Sequence, residues 1–435
     1  MSADWAATAR LLRRTGFGAS GADIDAAQRV GPQRYVSQLL AADPAADPGA
    51  RITPLPEFDL VAPIGANTPT AEIMARNQRI SRQLNRLSVW WLQRMAVVQQ
   101  PFGEKLTLCW HNHFATSAQK VRNATYMRDQ NVSLRTLGRG DFRALALDVL
   151  TDAAMLMWLD GERNTAAAPN ENLSREYMEL FTLGQGDGYT EADVREGARA
   201  LTGWKLPPAG PAYLRAADHD AGIKTVLGVT GNLDDVGFCD AVLAQPGSAR
   251  YLASRWWRQL VSDTPPPPEV VDRLVAAYGP QRSLTALVTT MLTMPEFAAA
   301  QNSIVVSPVE WLLGAVRTLR VPVASEAVAT NLLGLLASLG QVPFYPPSVG
   351  GWPSGQAWLS SGAAELRLRA AIRLAGVGEL SAVSSARQSA RLDVVAHLLG
   401  IASWSDRSAR ALAPQLADPV RLVAFALNTP EYLTN

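Results

Sequence analysis

Apolar residues recur at three- and four-residue steps through most of this chain, and that periodicity limits its fold more than any single motif does. Helical spacing covers about Ala71 to Gln100, Phe102 to Phe114, Ala124 to Leu137 and Asp141 to Thr151. It resumes at Leu233 and continues through Tyr251–Leu260, Val270–Tyr278, Leu284–Met294, Pro308–Leu319 and Ser325–Leu339, with more helix between Glu365 and Asn435. Between Leu206 and Gly231 it fails. Pro207, Pro208, Gly210 and Pro211 break the helix there, and the segment DHDAGIKTVLG supports a short hairpin around Asp220 to Gly222. The expected class is all-α: a large irregular multi-helix domain with long ordered loops and at most one short β-hairpin.

One unit over residues 1–435 is expected, with a subdivision into an N-terminal half (1–205), an irregular segment (206–231) and a C-terminal half (232–435). Two loops stand out. Asp43 to Thr70 is rich in Pro, Gly, Asp and Ala and has no period. Phe344 to Gly362, FYPPSVGGWPSGQAWLSSG, cannot form regular structure, yet its Trp352 and Trp358 are costly to leave bare, so it should fold onto the helical body.

Charge and composition exclude several function classes. The net charge is +1, which gives no concentrated basic surface for nucleic acid. The row Arg76, Arg79, Arg82, Arg86 on the long helix is read as a solvated face. No stretch of 18 apolar residues is present, so no membrane span is expected, and the N-terminus lacks the apolar run of a secretory signal. On this reading the protein is cytoplasmic, with partner-assisted export as the alternative. Cys109 and Cys239 are too few for a cysteine zinc site, though one bridge between them stays open. No G-x-S-x-G elbow, Walker loop or dinucleotide fingerprint occurs.

The densest chemistry lies in NENLSREYMELFTLGQGDGYTEADVREGARALTGW, Asn170 to Trp204. Leu173, Tyr177, Leu180 and Phe181 form one buried stripe, which places Glu176 and Glu179 on a neighbouring face. Glycines end that helix, and Thr190 with Asp193 caps a second one carrying Arg195 and Arg199. Two readings compete for this hairpin. In one it is a structural network in which Arg175, Arg195 and Arg199 neutralise partly buried carboxylates. In the other it is a site where Glu176 or Glu179 is general base or metal ligand and an arginine holds a polar substrate group.

Of four histidines, three have unusual neighbours: His111 and His113 in HNH, and His219 in HDAGIK. Near a helix end two His at i and i+2 can converge on one ion, and Asp220, Glu176 or Glu179 could complete a mixed nitrogen and oxygen site for a divalent metal ion. The plainer alternative is that each imidazole bonds a backbone group at a helix end.

Taken in order, ARLLRRTGFGAS, WHNHFATS, the central stretch, HDAGIKTVLG, FYPPSVGGW and NTPEYL resemble the bacterial family of domain of unknown function 1800 over nearly the whole chain. The resemblance implies a single, mostly helical unit. Members are often encoded beside a sulfatase-like companion, the domain of unknown function 1501 family, which makes that protein the expected partner. The family motifs fall on His111, His113, Asn172, Arg175, Glu176, Glu179, Tyr189, Thr190, Arg199, Trp204, His219, Asp220, Lys224 and Trp352.

The leading expectation is a metal-assisted hydrolase acting on a carbohydrate or a carbohydrate ester. Glu176, Glu179 and Arg199 are its catalytic candidates, and Arg175, Lys224, Trp204 and Trp352 its substrate contacts. His111, His113, His219 and Asp220 would hold the ion. Two alternatives remain: a glycoside-cleaving enzyme that uses Glu176 and Glu179 without a metal, and a non-catalytic scaffold or escort for the sulfatase-like partner.

Overall fold

The computed structural model describes residues 1–65, 67–186, 188–299 and 301–435. Helices follow the apolar periodicity closely. The long helix Thr70–Val97 buries Ile80, Leu84, Leu87, Trp91 and Met95 at successive turns and leaves Arg79, Arg82 and Arg86 exposed. The helix Phe102–His113 is buried nearly all round, as a central core element must be. The aperiodic loop after Asp43 contains one short helix, Pro48–Ile52, whose first turn Asp47 caps.

Burying Glu104 and Lys105 in that central helix requires partners. Glu104 is 1% exposed and accepts from Arg94 Nε at 2.6 Å, Arg135 Nη2 at 2.8 Å and Trp91 Nε1 at 2.9 Å. Burial pushes its carboxyl up, but Arg135 and then Arg94 outweigh that, and it lies below the usual carboxylate range. Lys105 pairs with Glu310. These contacts pin the central helix to helices from both halves of the chain.

Two hydrophobic cores lie on either side of it. One joins Trp5, Leu11 and Leu12 to Phe142, Tyr177, Phe181, Phe238 and Trp256. The other joins Leu87 and Trp91 to Trp311, Leu312, Trp352, Ala371 and Leu422. Trp110 and Leu108, on the same helix, belong to the first and the second core respectively. The helix Ala3–Thr15 is tied to the far end of the chain: Arg13 donates to the carbonyls of Glu431 and Tyr432, and Arg14 to those of Phe297, Asn302 and Asn435.

Extended structure is confined to residues 204–231 among the larger elements. The hairpin lies slightly later than its sequence signal: β3 (Lys224–Val226) pairs antiparallel with β4 (Val229–Gly231), and the turn falls at Leu227 and Gly228, both at positive φ. A second pair, β1 (Trp204–Lys205) with β2 (Tyr213–Leu214), closes the proline-rich loop. Cys109 and Cys239 are both buried and unbridged.

Candidate functional site

The central stretch forms the expected hairpin, with one departure. After the short helix Asn172–Glu176 the backbone widens into a π-helical turn, Tyr177–Thr182. Such turns are rare and cluster at functional sites. The second helix, Glu191–Ala200, opens with a complete capping box from Thr190 and Asp193.

Most charges on the hairpin are neutralised locally. Arg175 makes a two-pronged pair with Glu191, at 2.7 Å to each oxygen, and reaches Glu171 at 2.9 Å. Arg199 bonds Asp220 through Nε at 2.7 Å and Glu196 through Nη1 at 2.8 Å. Lys224 is 1% exposed and donates to the Gly222 carbonyl and to Asn232 Oδ1. Thr202 joins these groups: its hydroxyl donates to the Arg199 carbonyl and accepts the Asp220 N–H. His219 lies 2.9 Å from the Thr202 carbonyl through Nδ1, which therefore carries the proton. Trp204, in β1, packs partly buried against the first core. Arg199, Asp220, Lys224 and His219 thus belong to one closed network, to which Glu196 contributes an acid that sequence reasoning missed.

Glu176 and Glu179 differ from these groups. Both are half-buried, and neither takes a hydrogen bond or ion pair among the described residues. Burial, then the neighbouring Glu179, push the Glu176 carboxyl above its ordinary value, and Arg175 only partly opposes them. Tyr251 lies within reach of Glu179's charge, and its hydroxyl donates to the Leu180 carbonyl at 2.6 Å.

The two HNH histidines diverge. His111 Nε2 accepts the Phe344 N–H at 3.1 Å, while His113 Nε2 lies 2.8 Å from the Phe181 carbonyl and donates to it. Burial holds both neutral, with pKa values lowered to about 3; at His113 nearby Arg255 adds to the effect. Each imidazole is therefore committed to a backbone group from a different segment. His219 and Asp220 sit in the Arg199 network, so the four expected ligands are not gathered. Among the described residues no group of three or more His, Cys, Asp or Glu side chains is placed to hold a metal ion.

Asn112, between the two histidines, has the most consequential contact. Its Oδ1 accepts the Trp352 N–H at 2.7 Å and packs against Gly351, which has φ +87°. The Gly-Gly-Trp loop is thereby seated on the end of the central helix, and Trp352 lies edge-on to His111 with ring centres 5.4 Å apart. A cavity of about 110 Å³ remains beneath this junction, lined in part by Asn112, Arg255, Arg258, Asp263 and Trp352. A larger groove, about 910 Å³, lies elsewhere and includes none of the candidate catalytic, substrate-binding or metal residues; His397 lines it and bonds Asp25 at 2.9 Å.

Fold and site together define a mostly helical protein in which a histidine-flanked helix end, a glycine-rich tryptophan loop and a charged hairpin with a π-turn meet through backbone hydrogen bonds. The chain belongs to the family described as protein of unknown function DUF1800, whose model matches residues 10–434. No curated protein and no solved structure matches it.

Proposed function

We propose that the protein is a hydrolase in which Glu176 and Glu179 act as an acid and base pair on a glycosidic or ester bond of a carbohydrate. The observation that carries this reading is their lack of commitment. Where the nearby Arg175, Arg199, Asp220 and Lys224 are all tied down, these two carboxylates have no hydrogen bond or ion pair among the described residues and are close enough to interact. Of two adjacent carboxyl groups, one whose proton affinity is raised can donate a proton to the leaving oxygen while the other activates water. Glu176, whose affinity is raised, is assigned as the acid and Glu179 as the base. Tyr251, within reach of Glu179's charge, is assigned as an aromatic contact for the sugar ring.

A panel of aryl glycosides and carbohydrate esters tests this. Glu176→Gln and Glu179→Gln should each lower turnover by about a hundredfold or more while the fold is kept. Folded variants that retain full activity would overturn the assignment.

A second reading has its own observation. The closed Arg199, Glu196, Asp220 and Lys224 network is what a rigid scaffold needs, and a helical escort for a sulfatase-like partner would use it as internal bracing. Co-purification with such a partner, together with no turnover of any panel substrate, would favour that reading over the hydrolase.

A further inference from the structure

The cavity beneath the Asn112–Trp352 junction has an unusual hydrogen-bonding balance. Its charged lining groups are largely accounted for: Lys105 and Glu310 neutralise each other, and Asp263 Oδ2 accepts the Val305 N–H at 2.9 Å. Arg255 is half-buried and makes no hydrogen bond or ion pair among the described residues. Its Nε is covered and unpartnered, while its terminal nitrogens stay accessible. Trp352 is 5% exposed, and its Nε1 is likewise covered and unpartnered. Both orphaned atoms are donors. Among the described residues no lining side-chain acceptor is left buried without a partner.

A guanidinium with free terminal nitrogens matches the oxygen pair of a carboxylate, sulfate or phosphate. Charge points the same way. Lys105, Arg255 and Arg258 face only Glu310 and Asp263, so the lining carries a net positive charge. The histidines above add no charge, because both are held neutral. At about 110 Å³ the cavity has room for a small polyatomic ion or for one charged substituent of a larger molecule.

We propose that this cavity is an oxyanion-binding site, with the accessible terminal nitrogens of Arg255 as the charged anchor. The proposal stands apart from the hydrolase reading, since neither Glu176 nor Glu179 lines the cavity.

Calorimetric titration at low ionic strength tests it, using inorganic sulfate, inorganic phosphate and acetate as free ions and glucuronate and glucose 6-sulfate as sugar-borne ones. Chloride at matched ionic strength is the control. Saturable binding of at least one probe is expected, with a change in tryptophan fluorescence. Arg255→Gln should weaken it by about tenfold or more. Arg258→Gln, at an exposed position, should have the smaller effect. Tighter binding of the sugar-borne probes would assign the site to a substituent, and tighter binding of inorganic ions to a free anion; either supports the proposal. Because Arg255 makes no hydrogen bond or ion pair among the described residues, Arg255→Gln should fold, and circular dichroism checks this. Absence of saturable binding into the tens of millimolar, or unchanged binding in folded Arg255→Gln, would overturn it.

Discussion

The side-chain oxygen of Asn112 accepts the backbone N–H of Trp352 at 2.7 Å, joining the end of the central helix to a loop 240 residues later. Gly351 makes that approach feasible. A β-carbon there would meet Asn112 Oδ1 at 2.4 Å and the Asn112 carbonyl oxygen at 2.5 Å, at a φ that disfavours any side chain. Gly351→Ala should therefore cost roughly 2 to 4 kcal/mol and unseat Trp352. Chemical denaturation and the tryptophan emission maximum would check it; an unchanged midpoint and spectrum would mean that the loop is not held this way.

Glu104 is the most deeply buried carboxylate with a complete set of partners. Glu104→Ala leaves Arg94 and Arg135 without their shared counter-charge and should cost about 3–5 kcal/mol. The loss is expected as a lowered melting temperature. A change of less than about 1 kcal/mol would show the triad to be energetically idle.

His111 and His113 impose a pH dependence of definite sign. Their pKa values fall from 6.5 to about 3 on folding, so above pH 6.5 both states hold neutral imidazoles and stability is full. As pH falls from 6.5 toward 3 the unfolded chain takes up protons that the folded chain refuses, and stability drops. Urea denaturation between pH 8 and 4 should show this slope, and His113→Gln, which keeps a donor for the Phe181 carbonyl, should flatten it. An unaltered slope in that variant would contradict the assignment.

Asp152 works in the opposite direction. Burial raises its pKa to about 7, against bonds from the Met155 N–H and Gln130 that lower it. It is more easily protonated folded than unfolded, so its contribution is present below about pH 4 and is lost as pH rises through 7. Asp152→Asn should match the parent near pH 4 and exceed its stability at pH 8 by roughly 1 to 3 kcal/mol. A variant less stable at pH 8 would show that the carboxylate is favourable as a charge.

Much of this was legible in the sequence where local spacing decides. The capping box at Thr190 and Asp193, the buried stripe of Leu173, Tyr177 and Phe181, and the helix Ala124–Leu137 follow from residues within a turn or two of one another. The π-turn was not legible, because the same stripe suits α-helical winding. The partners of Glu104 and the isolation of Arg255 depend on helices brought together from distant parts of the chain, and no periodicity encodes such meetings. The β1–β2 pair eluded reading because two residues on each side of a proline-rich loop carry no alternation. The histidines drew attention for their composition, yet backbone carbonyls and amides, which sequence does not display, decided what they do.

The grip of Arg13 on the carbonyls of Glu431 and Tyr432 has a consequence for biosynthesis. The contact spans 418 residues, so the first helix leaves the ribosome long before its docking surface exists. At roughly 5–20 residues per second that interval is on the order of a minute. Throughout it Trp5, Leu11 and Leu12 lack the final clamp on their helix, which makes this N-terminal segment a natural client for a chaperone that shields nascent apolar surfaces.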